Sequence, residues 1–339
     1  CASAVESLLR DMRFHLKGLR NAAVVLFDWR MAFGTMPHTL IAREVAERVP
    51  QLAAAMLHGI AEPTISMVRK AEGGWAHIRS SVGVPQGSPE GSAAFAIALR
   101  RVIEHYDDLL VAQIGPERAA QTRLLAYLDD VSIAAEEEDI GACIACWRAA
   151  LAHFGLVENE SKTTLWTASR VAPADPAAAA CWERAPRHDG FALLGSALGA
   201  DLCGHLDDGS DLALPFGDDA FVQDFLAAWL RRAEELARTL AAIPGLCESG
   251  LPSMQATFAL LRQCLLQKFT HLLRLLPPAL TAPFSKGLEQ AALDAVCQAL
   301  DLPRLTGWRA ELVFESLARG GLGLPPAVSY THLTLPTKA

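Results

Sequence analysis

Residues 124–135 read LLAYLDDVSIAA, and within them Asp129 and Asp130 stand side by side between two apolar segments. Residues 124–127 and 131–135 have strand composition, and the polar break between them predicts a hairpin turn. Two adjacent carboxylates at the tip of an apolar hairpin repel each other and lose hydration, so the site needs a compensating charge. A divalent cation is the usual one, because hard oxygen ligands suit Mg²⁺ and a site that also uses substrate phosphates. Asp is also a common turn residue, so the pair taken alone fits a solvated turn equally well.

The elements around the pair add a third carboxylate. Residues 22–27 (AAVVLF) form a continuous apolar run, the pattern of a strand buried on both faces. The run ends at Asp28, followed by WRMAF and a helix-like segment over 37–48. A carboxylate at a strand end can meet the hairpin aspartates across a sheet despite the long stretch of chain between them. Residues 80–92 (SSVGVPQGSPEGS) make a Gly/Pro-rich turn carrying Gln86 and Gly87, and open a helix-compatible run. Residues 155–166 (GLVENESKTTLW) set Lys162 at the entrance to a strand.

With these segments in order, the chain resembles the palm domain of reverse transcriptases, most closely those of non-LTR retrotransposons. DWRMAF resembles that family's first aspartate motif, GVPQGSP its glutamine-glycine motif, AYLDD its double-aspartate motif and GLVENESKT the lysine-bearing motif that follows. The likeness extends over roughly residues 5 to 325. LLGSALG (193–199) and LALPFGDDAFV (212–222) both resemble the loop-strand segment that steadies the primer end. HLLRLLPPAL (271–280) and GGLGL (320–324) resemble segments found after the palm.

The resemblance implies an RNA-directed DNA polymerase. Such an enzyme extends a DNA primer on an RNA template with deoxynucleoside triphosphates, using two Mg²⁺ ions, with Mn²⁺ as the alternative. Two ions about 3.5–4 Å apart stabilise the attacking and leaving oxygens of an in-line displacement, and three carboxylates suffice to hold them. Asp28, Asp129 and Asp130 are the three expected, with Asp28 and Asp129 bridging both ions and Asp130 in a supporting role. A helix cap does not explain Asp28, because nine residues separate it from Pro37. The backbone of residues 29–32 is implied to hold the second ion and the triphosphate. Phe33 lies five residues after Asp28, where the family places the ring that crowds a ribose 2′-hydroxyl; an ordinary core phenylalanine is the plainer alternative. Gln86 and Gly87 are expected to contact the templating base and the incoming nucleotide, or to form an ordinary loop. Tyr127 is expected to face the primer end, or to be a simple cross-strand aromatic. Lys162 is expected to donate a proton to the leaving pyrophosphate, or to be merely solvated.

Three residues depart from the family pattern. Met31 stands where asparagine or lysine is usual, Gly34 replaces a common polar residue, and Glu90 replaces an aliphatic one. None is an expected metal ligand. An inactive retroelement remnant, or a palm domesticated for nucleic-acid binding, is the alternative reading; an RNA-templated RNA polymerase is disfavoured by Phe33 and GVPQGSP.

The chain has 339 residues, of which 51% are hydrophobic, enough for one large or two modest domains. Its formal net charge of −8 is unusual for a protein that follows phosphates, although basic residues cluster in 10–20 and 262–274. The expected class is α+β: an antiparallel palm sheet backed by helices, followed by a helical thumb or connection, with the fingers largely missing. The expected divisions are 1–205 for palm and partial fingers, 206–325 for the helical region, and 328–339 (VSYTHLTLPTKA) as a non-native tail. Only 27 residues precede Asp28, so truncation at the N-terminus is expected, as is an endonuclease elsewhere in the full-length element. Cys143 and Cys146 form a C-x-x-C one helical turn apart without a second pair, which favours core positions over zinc. Cys203, His205 and the acidic loop 207–211 lack the spacing of a metal site. No apolar run approaches the ~18 residues needed to span a bilayer, and an intracellular, by family nuclear, location is expected.

Overall fold

The structure, a computed structural model, describes residues 2–58, 60, 64–80, 82–84, 89–199, 219–246, 250–276 and 278–327. Gln86, Gly87, Cys203, His205, the acidic loop 207–211, residues 212–218 and the tail 328–339 lie outside these. The described residues form two compact units, one built from 10–188 and one drawing on 2–9, 189–199 and 219–327. The fold is α+β, as expected.

In chain order the first elements are α1 (Ala2–Gly18), β1 (Ala22–Phe27), α2 (Ala32–Thr35), α3 (His38–Arg48), α4 (Ala53–Leu57), β2 (Thr64–Arg69) and β3 (Trp75–Ser80). They continue with α5 (Pro89–Ile114), α6 (Pro116–Ala119), β4 (Arg123–Tyr127), β5 (Asp130–Glu136), α7 (Ile140–His153), β6 (Thr164–Thr167) and α8 (Pro176–Glu183). The four-stranded sheet has the order β4-β5-β1-β6 and is antiparallel throughout. β1 is central, and Ala22, Ala23, Val24 and Val25 are fully buried, which is why its sequence is apolar without alternation.

One face of the sheet packs on helices α5 and α7. Val25, Phe27, Val131 and Ile133 meet Phe95, Val102, Tyr106, Ile144 and Trp147 in a single core. Burying side chains of this size contributes about 1.5–3 kcal/mol each. Phe27 and Trp29 both lie 5.8 Å from the Trp147 ring, Tyr106 meets Trp147 edge-on at 5.7 Å, and Trp29 lies 6.0 Å from Phe95. Opposed tilted rings of this kind add to their area burial. Cys143 and Cys146 belong to this core, as their helical spacing suggested. Burial pushes the Cys143 thiol up to about 12, so it behaves as a small apolar side chain and not as a thiolate ligand.

The second unit comprises β7 (Gly190–Leu193), β8 (Ser196–Gly199), α9 (Asp219–Ala241), α10 (Ile243–Leu246), α11 (Gly250–Leu260), α12 (Leu266–Leu275), α13 (Pro278–Ala299) and α14 (Trp308–Phe314). The first of the two primer-end candidates, 193–199, forms the turn and second strand of the β7–β8 hairpin. Its turn residues Leu194 and Gly195 have φ of 50° and 77°, as a two-residue type I′ connection demands. Helices α11 and α12 are joined by a π-helical segment, Leu261–Leu265. Helix α13 tolerates Pro283 within its first two turns. Helices α9 and α13 approach closely at Gly287, where a Cβ would lie 2.5 Å from a Leu230 methyl. Phe269, Leu272, Leu288 and Val296 fill the core of this unit. Among the described residues no helix is long and apolar enough to cross a membrane.

Candidate active site

The strand register determines what converges. In β1 and β5, Phe27 pairs with Val131, so Asp28 and Asp130 occupy the next pair of positions beyond it. In β4 and β5, Tyr127 pairs with Asp130, which leaves Leu128 and Asp129 as a two-residue turn. Asp130 is thus the first strand residue and not part of the tip, a correction to the expected hairpin. Leu128 has φ of 57° while Asp129 is not in the positive-φ region, the pattern of a II′ turn that elsewhere favours glycine at its first position. The three aspartates therefore come to one end of the sheet.

Their electrostatics agree with that proximity. Asp130 titrates above the ordinary aspartate range, first because burial disfavours its charge and then because Asp129 and Asp28 repel it. The donor chemistry, three hard carboxylate oxygens at adjoining strand ends, suits a divalent cation. The side chains do not close into a ligand set as they stand: among the described residues no group of three or more His, Cys, Asp and Glu side chains is arranged to hold a metal ion.

Asp28 is the best anchored of the three. Its Oδ2 accepts from Asn159 Nδ2 at 2.7 Å, and its carbonyl accepts from the Asn159 N–H at 2.8 Å. Its own N–H donates to Thr163 Oγ1 at 3.5 Å. Arg30 N–H donates to the Val157 carbonyl, and Trp29 bridges Glu158, so residues 28–30 are laced to 157–159 beyond the end of β1. Behind this lacing, Arg148 of α7 donates to both Glu158 carboxylate oxygens, at 2.6 and 3.2 Å. Arg184, at the end of α8, donates to the Thr163 carbonyl at 2.9 Å. Asn159 is a functional candidate that the sequence reading missed; its only signal was an amide between Glu158 and Glu160, where a carboxylate would have repelled Asp28. Asn159→Ala removes a charge-assisted bond worth about 1.5–3 kcal/mol. If Asp28 acts in turnover, kcat is expected to fall about 10- to 100-fold with template–primer KM unchanged, as steady-state kinetics would reveal. A parallel loss of template–primer affinity would point to unfolding of the loop instead.

The other expected residues are distributed around this end. Phe33 lies in α2, half-buried, with its ring stacked on Phe95 at 4.5 Å and 21°. Tyr127 ends β4 and is half-buried. Lys162 is exposed in a turn whose N–H donates to Asn159, two residues before β6, and does not lie in a strand.

The departures from pattern have local consequences. Met31 adopts φ 51° and ψ 52°, a left-handed conformation that asparagine accepts and methionine resists by roughly 1 kcal/mol. Gly34 has a packing reason. Gly83 has φ of 82°, and a Cβ on it would sit 2.7 Å from the Cα, C and O of Gly34. Gly83 N–H donates to Met36, Val84 N–H donates to Phe33, and the His38 ring bonds the Gly83 carbonyl at 2.7 Å. This backbone-on-backbone contact clamps the start of the glutamine-bearing loop against α2. Gly83→Ala is expected to cost about 2 kcal/mol of unfolding free energy, measurable by urea denaturation; an unchanged midpoint would deny the clamp.

A family model described as reverse transcriptase (RNA-dependent DNA polymerase) matches residues 5–198. No sequence among curated proteins matches the chain. Similar solved structures include telomerase from Candida albicans in complex with a TWJ fragment of telomeric RNA. That likeness has 12% identity, a TM-score of 0.43, and coverage of 88% of this chain and 48% of the other. Telomerase from Candida tropicalis with the same kind of RNA fragment has 11% identity, a TM-score of 0.44, and coverage of 99% and 51%. The apo telomerase from Candida tropicalis has 11% identity, a TM-score of 0.41, and coverage of 87% and 50%. The chain spans about half the length of these solved chains.

Proposed function

We propose, from the premise that this chain belongs to the reverse transcriptase (RNA-dependent DNA polymerase) family, that it carries the nucleotidyl-transfer centre of a retroelement polymerase of the non-LTR type. The observation that supports this most is the register that sets Asp28 and Asp130 opposite each other, one step beyond the Phe27–Val131 pair, with Asp129 in the adjoining turn. In this reading Asp28, Asp129 and Asp130 would hold two Mg²⁺, which would supply charge stabilisation for the attacking 3′-hydroxyl and the leaving pyrophosphate. Asn159 orients Asp28, and the lacing of 28–30 to 157–159 keeps its carboxylate at the strand end. Gln86 and Gly87 contact the templating base and incoming nucleotide, Tyr127 faces the primer end, and Lys162 donates a proton to the leaving pyrophosphate or neutralises its charge. Either 193–199, in the β7–β8 hairpin, or 212–222 steadies the primer end in this reading. An RNA template, a DNA primer and deoxynucleoside triphosphates are the partners, an endonuclease lies elsewhere in the element, and the setting is nuclear.

Phe33 supplies sugar discrimination in this reading. Its stack on Phe95 holds the ring rigidly, and a fixed ring rejects a ribose hydroxyl by overlap. Phe33→Val is expected to raise ribonucleotide incorporation about tenfold or more relative to deoxynucleotide; unchanged selectivity in an active variant would assign Phe33 to packing alone. The reading as a whole is tested by extending a DNA primer on an RNA template with and without EDTA. Chelator-sensitive extension supports it, and no extension under any metal counts against it.

The second reading, a palm retained as a nucleic-acid-binding scaffold, is motivated by the departures at Met31 and Glu90 from the family pattern. That reading expects template–primer binding that ignores loss of Asp28 and Asp129, and no incorporation.

A further inference from the structure

The β2–β3 hairpin displays an unusual face. In its antiparallel register Ile65 stands opposite Arg79, Met67 opposite His77 and Arg69 opposite Trp75. Directly opposed residues share a face of the pair, so Ile65, Met67, Arg69, Trp75 and His77 lie on one side and Val68 and Ala76 on the other. Ile65, Met67 and Trp75 are exposed at 62%, 57% and 58%, and Arg69 and His77 are exposed beside them. Large apolar side chains gathered on one exposed face mark an interaction surface.

The charges select the partner. Within 64–80 the sequence holds Arg69, Lys70 and Arg79 against a single acid, Glu72, in a chain of net charge −8. The turn carries Lys70 at its start: Gly73 N–H donates to the Lys70 carbonyl and Lys70 N–H donates to Gly74, both at 3.1 Å. Gly73 and Gly74 have φ of 93° and 82°, with open space around both. An exposed tryptophan and an imidazole two residues apart, about 7 Å along a strand and flanked by cations, match a polyanion whose units carry flat rings. A protein strand would meet the same apolar residues but has no use for the cations, and a bilayer surface has no ring to stack.

We propose that this face is a stacking platform for single-stranded RNA, with bases on Trp75 and His77 and phosphates at Arg69 and Lys70. The proposal rests on the polymerase reading for the identity of the strand, and it gives that reading a contact remote in sequence from the aspartates.

The test is a fluorescence-anisotropy titration of the full chain with a labelled, unstructured single-stranded RNA. Trp75→Ala is expected to weaken binding about tenfold and Trp75→Phe to restore most of it, as base–aromatic stacking tolerates a change of ring. Arg69→Ala is expected to flatten the dependence of log affinity on log salt by about 0.7. Circular dichroism would verify that these surface variants fold. Wild-type affinity in Trp75→Ala, or a change in molecular mass without a change in RNA affinity, would overturn the proposal. Primer extension is read separately. A chain that binds RNA through Trp75 yet never extends a primer upholds the hairpin and removes the polymerase reading, and the converse pattern does the reverse.

Discussion

Asp129→Asn is expected to lower deoxynucleotide incorporation by about 10³-fold or more, and Asp28→Asn to do the same. Each replacement removes a full negative charge from the proposed two-ion centre, and losses of transition-state charge stabilisation of this kind cost about 3–4 kcal/mol or more. Asp130→Asn is expected to be milder, about 10- to 100-fold. It lies in the ladder opposite Tyr127 and already resists ionisation because of burial and its two acidic neighbours. The measurement is single-turnover primer extension on an RNA template for the three variants. Equal losses at all three positions would contradict the assigned hierarchy, and an active Asp129→Asn would remove the aspartate from catalysis.

The second large effect is on stability. Arg148→Met is expected to cost about 3 kcal/mol of unfolding free energy. The Glu158 side chain is only 5% exposed and its carboxylate accepts two bonds from Arg148, whose own side chain is 27% exposed. Removing one partner leaves a buried, uncompensated charge, which is far costlier than replacing both partners with apolar groups. The double variant Arg148→Met with Glu158→Leu is therefore expected to recover much of the loss. Because Glu158 bridges Trp29 through backbone atoms, the lacing of residues 28–30 survives in the double variant. Urea denaturation of the two singles and the double forms a cycle; a single-variant loss below about 1 kcal/mol would show that the pair is effectively solvated.

The parts of the fold legible in the sequence were those with a period or an unbroken run. AAVVLF defined β1 to the residue, because a strand buried on both faces has no alternation to blur its ends. The helix-like segment over 37–48 emerges as α3, His38–Arg48. Polar lacing leaves no such trace. Asn159 reads as one more polar residue in a turn, and only the register that carries 157–159 past 28–30 reveals its bond to Asp28. Helix α8 was overlooked although its signals were present: Asp175 caps it by accepting from Ala178 N–H at 2.8 Å, with Pro176 in the first turn. Sequence cannot say which residue of a polar break joins the ladder, so the position of Asp130 as the first residue of β5 is visible only in the register. Gly34 looked like an erosion of the family pattern; its close contact with Gly83 gives it a packing reason that composition could not supply.

The central claim is that Asp28 and Asp129 hold the metal ions of a polymerase centre. Mn²⁺ binding followed by electron paramagnetic resonance, with template–primer and a non-hydrolysable deoxynucleotide present, tests it most directly. The account predicts about two ions per chain, lost when Asp28 and Asp129 are both replaced by asparagine. Identical Mn²⁺ binding in the wild type and in that double variant would contradict it.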